Sequence, residues 1–136
     1  MMIIALASGL LFAASLTRFN VEEAIKLEPP GGRVQKLDVP SVTVDTFCQA
    51  VNAKPDVMKI DAEGAEFKVL LGAKSLLREG RVTILCEVYP YLLERLGVTL
   101  EDLSGYLTSG GYRMSRLDEP NDLGIFHALI EPVGRK

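Results

Sequence analysis

Apolar positions along this chain fall into short compact runs separated by longer stretches of helical spacing, and the alternation between the two predicts its elements. Val57-Met58-Lys59-Ile60 is a compact β-type run that ends at Asp61. Residues 65–78 follow with Phe67, Leu70, Leu71 and Leu77 near helical spacing, and with Val69, Ala73 and Leu76 widening the apolar face, which predicts one helix. Glu63 and Glu66 sit around its first turn, where negative charge suits the helix dipole; Lys74 and Arg78 sit near its end, and Gly80 stops it. Residues 82–86 are a second buried strand running into Glu87 and Val88, and Pro90 opens a short helix through Leu96. Thr99-Leu100-Glu101-Asp102 has the capping-box pattern ahead of a helix whose Leu100, Leu103 and Leu107 share a face before Gly110-Gly111 ends it. Residues 112–117 and 124–130 read as two closing strands joined by the turn-rich Asp118-Glu119-Pro120-Asn121-Asp122.

The first third of the chain is patterned less clearly. Residues 34–44 alternate around Pro40 as a short edge strand, and Asp45 is placed to cap a helix over residues 46–52. Glu28-Pro29-Pro30-Gly31-Gly32-Arg33 is a breaker cluster, which divides an apolar amino-terminal segment and loop (1–33) from the remainder (34–136). Residues 2–16 are almost uncharged. They fit a core element, an export signal that lacks the usual preceding basic residues, or an internal piece of a longer domain. A run of about fifteen is shorter than the ~20 apolar residues that span a bilayer, so no membrane contact is expected.

Composition narrows the partners. The chain has 136 residues, 48% hydrophobic and 24% charged, with a net charge of −3 and scattered basic residues. Nucleic acid, which needs a concentrated positive face, is not an expected partner. Cys48 and Cys86 lie among apolar neighbours with no zinc or disulfide spacing, as buried thiols of a cytoplasmic protein would. His127, the one histidine, falls in the last predicted strand and reads as structural.

Strand, helix, strand, helix, strand is the order of an α/β fold with a parallel sheet, and the last two strands are too close for a helical crossover, so they should pair antiparallel. Ligands in such sheets collect beyond the carboxyl ends of the strands. Asp61 and Glu87 each stand at such an end, and crowded acids are costly without a purpose. Each also has a plainer reading, Asp61 as a helix cap and Glu87 as a solvated strand end.

Asp56-Val57-Met58-Lys59-Ile60-Asp61-Ala62-Glu63-Gly64-Ala65-Glu66, followed by Val69-Leu70 and Gly72-Ala73, resembles the signature of FkbM-type S-adenosylmethionine-dependent methyltransferases. Val39-Pro40-Ser41-Val42-Thr43-Val44-Asp45-Thr46-Phe47, Ile84-Leu85-Cys86-Glu87-Val88 and Gly110-Gly111-Tyr112 extend the resemblance over residues 39–112. It implies part of a class I (Rossmann-like) methyltransferase sheet, mainly parallel with an antiparallel closing hairpin. Residues 57–60 would be its fourth strand, 82–86 its fifth, and the closing pair its sixth and seventh. It also implies methylation of a hydroxyl group on a small molecule such as a sugar or secondary metabolite, with Asp61 facing the reacting centre and Glu63 and Glu87 beside it. Asp61 would act as general base, or the three acids would hold a divalent metal that polarises the acceptor.

The resemblance is to the carboxy-terminal half of the domain. A glycine-rich turn after a first strand and an acid ending a second strand, which hold the cofactor in that fold, have no counterpart here. Gly31-Gly32 follows two prolines and Ser8-Gly9 lies in an apolar run. A truncated, non-catalytic module for binding or dimerisation is therefore the competing expectation. The fourth strand would then offer an open edge to a second copy or to a missing amino-terminal half, unless residues 2–19 cover it.

Overall fold

The computed structural model describes residues 3–7, 10–14 and 42–134. The strands are β1 (Ile3–Ala7), β2 (Leu10–Ala14), β3 (Val57–Asp61), β4 (Thr83–Val88), β5 (Tyr112–Arg116) and β6 (Phe126–Pro132). The helices are α1 (Val44–Ala50), α2 (Glu66–Leu71), α3 (Lys74–Arg78), α4 (Pro90–Arg95) and α5 (Leu100–Ser109). The breaker cluster at 28–33 and most of the expected edge strand at 34–44 lie outside the described residues.

The strands form one sheet in the order β1-β2-β3-β4-β6-β5. Two of its five pairings, β2 with β3 and β3 with β4, are parallel; the other three are antiparallel. The sheet is thus mixed rather than mainly parallel, because a hairpin is added at each side of the parallel centre. The closing pair is antiparallel as expected, and β6 lies between β4 and β5. The edge of β3 that the sequence left open is occupied by β2, with Leu10 to Ala13 in register with Val57 to Ile60.

Side chains alternate cleanly across the central strands. Met58 and Ile60, Ile84, Cys86 and Val88, and Phe126, Ala128 and Ile130 face a core completed by Val44, Leu70, Leu77, Leu93, Leu103 and Leu107 from the helices. The intervening positions, Lys59, Asp61, Glu87 and His127 among them, are only half-buried.

The helix expected over residues 65–78 is broken at Gly72-Ala73 into α2 and α3. The break has a tertiary cause. Asp45, expected to cap its own helix, instead accepts hydrogen bonds from the Ser75 and Leu76 amides at 2.8 and 3.1 Å and so caps α3. Its own amide donates to the Gly72 carbonyl at 2.9 Å, while Thr43 caps α1. A Cβ on Gly72 would stand 3.3 Å from the Thr43 Cβ, a tight approach that suits glycine. The capping box at α5 is formed, with Thr99 and Asp102 exchanging side-chain and backbone hydrogen bonds.

Candidate functional site

The carboxyl ends of β3 and β4 carry the acids the sequence singled out. Asp61 and Glu87 are register partners across the parallel pair, so their side chains project from neighbouring strands on the same, half-buried face. Glu87 is in turn the register partner of His127 on β6. Asp61, Glu87 and His127 therefore form a row across three adjacent strands, with facing side chains on the order of 5 Å apart at their Cβ atoms. Lys59 stands two residues before Asp61 on the same face and donates from Nζ to Asp61 Oδ2 at 3.2 Å. Tyr89 follows two residues beyond Glu87, at the same end of the strand. Desolvation, then the charges of Glu87 and Asp61, push its phenol pKa up, so Tyr89 stays protonated beside the row.

Glu63 stands apart from this row. The chain leaves β3 through a turn over residues 62–65 closed by the Ala65 amide on the Ala62 carbonyl at 3.0 Å, with Glu63 at φ +46° and Gly64 at φ +96°. Two successive positive φ values at the central positions are the pattern of a type I′ turn, which glycine accepts freely and glutamate at a cost. Glu63 is exposed on this turn, whereas Gly64 is buried under α4: a Cβ there would meet the Leu92 Cβ at 2.4 Å. The described residues give no support to a divalent metal at Asp61, Glu63 and Glu87. Among the described residues no three His, Cys, Asp or Glu side chains gather closely enough to hold an ion. The reason is local: the turn carries Glu63 out to solvent, apart from Asp61 and Glu87.

Glu66, read from sequence as a dipole partner of α2, is fully buried instead. Its Oε1 accepts the Gly64 amide at 2.8 Å, and its Oε2 has no hydrogen-bond partner. Burial is the main cause that raises its pKa to about 7, against the lowering effect of the backbone hydrogen bonds. The sign of its burial was present in the spacing. Glu66 precedes Val69, Leu70 and Ala73 by three, four and seven residues, and so lies on the apolar stripe itself.

The segment joining β5 to β6 comes to the same end of the sheet, since Phe126 pairs with Val88 and β5 finishes beside the start of β6. Asn121 organises this loop by accepting the Leu123 and Ile125 amides on its side chain at 2.9 and 3.0 Å. Asp118 accepts the His127 amide on Oδ1 at 2.7 Å and meets His127 Nδ1 with Oδ2 at 2.6 Å. The hydrogen bonds from the His127 ring and amide hold the Asp118 carboxyl below its ordinary pKa. Sequence reading missed this pair, because nothing in the spacing of residues 118 and 127 reveals that the loop folds back.

A cavity of about 180 Å³ lies elsewhere, lined by Lys74, Leu77, Arg78, Tyr106, Leu107 and Tyr112 among others. Tyr112 begins β5 opposite Pro132, the end of β6, so this hollow is at the far end of the strands from the acidic row. Cys48 and Cys86 are buried free thiols, both raised in pKa chiefly by desolvation. No described helix is long and apolar enough to cross a membrane.

Comparison with curated proteins and with solved structures returns no match. The family model for the methyltransferase FkbM domain matches residues 7–114, a span that includes β2, the Asp61–Glu66 turn and the Glu87 strand end, and that reaches upstream of residue 39, where the resemblance in the signature began. The chain belongs to the FkbM methyltransferase domain family.

Proposed function

We propose that this chain is an S-adenosylmethionine-dependent O-methyltransferase domain acting on a hydroxyl group of a sugar or secondary metabolite, with Asp61 and Glu87 on the acceptor side of its site. The observation that carries the reading is their pairing in register at the carboxyl ends of two parallel strands, within the family match. In the class I methyltransferase sheet that the family resemblance implies, the fourth strand lies beside the first, and β2 lies beside β3 in that place.

Methyl transfer to a hydroxyl needs alignment of the oxygen on the methyl carbon, opposite the sulfur, and removal of the hydroxyl proton. Asp61, which accepts from Lys59, and Glu87 are acceptors on one face, an arrangement that suits a hydroxyl donor. Their negative charge suits the sulfonium centre of the methyl donor, the end of the cofactor that the described residues fit. The cofactor, when bound, supplies the activated methyl group. The proton's destination is a group in or beside this row.

Calorimetric titration of the chain with S-adenosylmethionine tests the reading. Saturable binding that weakens on adding S-adenosylhomocysteine is the expected result; no heat of binding at millimolar ligand overturns it.

A further inference from the structure

We infer that His127, oriented by Asp118, is the proton acceptor for the hydroxyl group being methylated, a role that rests on the methyl-transfer reading above. Three observations carry the assignment. His127 is the register partner of Glu87, which is itself the partner of Asp61, so the imidazole sits in the same row and on the same face as the acids at the carboxyl ends of β3 and β4. The ring is held from two directions: its own backbone amide and its Nδ1 both reach the Asp118 carboxylate, at 2.7 and 2.6 Å, and its carbonyl accepts the Leu117 amide at 2.8 Å. Its side chain is 44% exposed, open to an acceptor molecule arriving over the sheet.

The hydrogen bonding also selects the tautomer. An ionised carboxylate only accepts, so the proton between Asp118 and the ring resides on Nδ1. In the neutral imidazole Nε2 then carries the lone pair, and no hydrogen bond occupies Nε2 among the described residues. As the acceptor oxygen forms its bond to the methyl carbon, the carbon–sulfur bond breaks with its electron pair left on sulfur. The hydroxyl proton passes to Nε2, and the imidazolium so formed is balanced by Asp118. Glu87 and Asp61 are the charged groups facing His127 across the strands, and Lys59 lies beyond them. Asp118 is a positioning residue in this scheme; His127 is the catalytic one.

Because His127 is the only histidine in the chain, its ring nitrogens give one pair of signals in a ¹⁵N-histidine-labelled sample. The expected spectrum of the neutral imidazole has the proton on Nδ1, and Asp118→Asn shifts the population toward the Nε2-protonated tautomer. In parallel, methyl transfer from tritiated S-adenosylmethionine to a panel of methyl glycosides is followed for wild type, His127→Gln and Asp118→Asn, with thermal unfolding to confirm that each variant is folded. His127→Gln should lower kcat by roughly 10²-fold or more with KM little changed, and Asp118→Asn should lower kcat by less. A neutral imidazole protonated on Nε2 rather than Nδ1 in wild type, or a folded His127→Gln variant with unaltered kcat, overturns the assignment while methyl transfer stands. No transfer to any glycoside by wild type overturns the methyl-transfer reading for this acceptor class, and the assignment with it.

Discussion

Glu66 and Asp118 are both carboxyl groups that accept a backbone amide, at 2.8 and 2.7 Å, and the fold drives them in opposite directions. Glu66 is on the core side of the sheet with one oxygen unpartnered, and desolvation outweighs its hydrogen bonds, raising its pKa to about 7. Asp118 is on an exposed loop where desolvation is slight, so the hydrogen bonds from His127 dominate and lower its pKa. The lowering effect of hydrogen bonds is outweighed by desolvation at Glu66 and nearly unopposed at Asp118. The two regions accordingly do different work. The β3–α2 turn is a clamp built from a strained backbone and a buried acid, while the opposite face presents charged groups to whatever lies over the sheet.

The clamp side should break most severely at Gly64. Its positive φ and the 2.4 Å approach of a Cβ to Leu92 mean that Gly64→Ala combines backbone strain with overpacking. The expected loss is about 3 kcal/mol in denaturant unfolding, and a loss below about 1 kcal/mol would show that α4 simply moves away. Glu66→Gln sharpens the contrast with Asp118 through pH. A carboxyl whose folded pKa is raised binds its proton more tightly in the native state, so its contribution is complete below about pH 4.5 and is lost as pH rises through about 7. Wild-type stability should fall by roughly 2 to 3 kcal/mol across that window from this group, whereas Glu66→Gln, still able to accept the Gly64 amide, should not show that fall. Parallel pH profiles of the two proteins would contradict burial as the cause.

Smaller effects are expected further from the turn. Asp45→Ala removes both side-chain caps of α3 and should cost about 1 to 2 kcal/mol by thermal or denaturant unfolding. Glu63→Gly should stabilise by about 0.5 kcal/mol, the relief of positive-φ strain slightly exceeding the added chain entropy. A destabilisation at Glu63 would mean that its side chain holds the turn.

Much of the fold is legible in the sequence, and the parts that are not have identifiable causes. β3 and β4 are compact apolar runs with both flanks broken, the capping box at Thr99 is local, and the antiparallel closure follows from the short connection between the last two strands. The split of residues 65–78 depends on Asp45, some thirty residues away in sequence, so periodicity alone reads through it. The apolar amino terminus, with periodicity compatible with helix or strand, contributes two strands, one of which covers the edge of β3. At the site, Asp61 and Glu87 were visible because each ends a strand. Their shared face needed the register, and the Asp118–His127 pair needed a loop that folds back. The burial of Glu66 is written in its position on the apolar stripe, although acidic residues in a first helical turn more commonly serve the dipole.

The central claim is that the half-buried face at the ends of β3 and β4 is the acceptor side of a methyl-transfer site. It is tested most directly by mass spectrometry of hydroxylated small molecules incubated with S-adenosylmethionine and either wild type or the folded Asp61→Asn and Glu87→Gln variants. Wild type should add methyl groups to hydroxyl oxygens, and each variant should do so on the order of 10²-fold more slowly, as misalignment of the acceptor predicts. Equal methylation by wild type and both variants would contradict the claim.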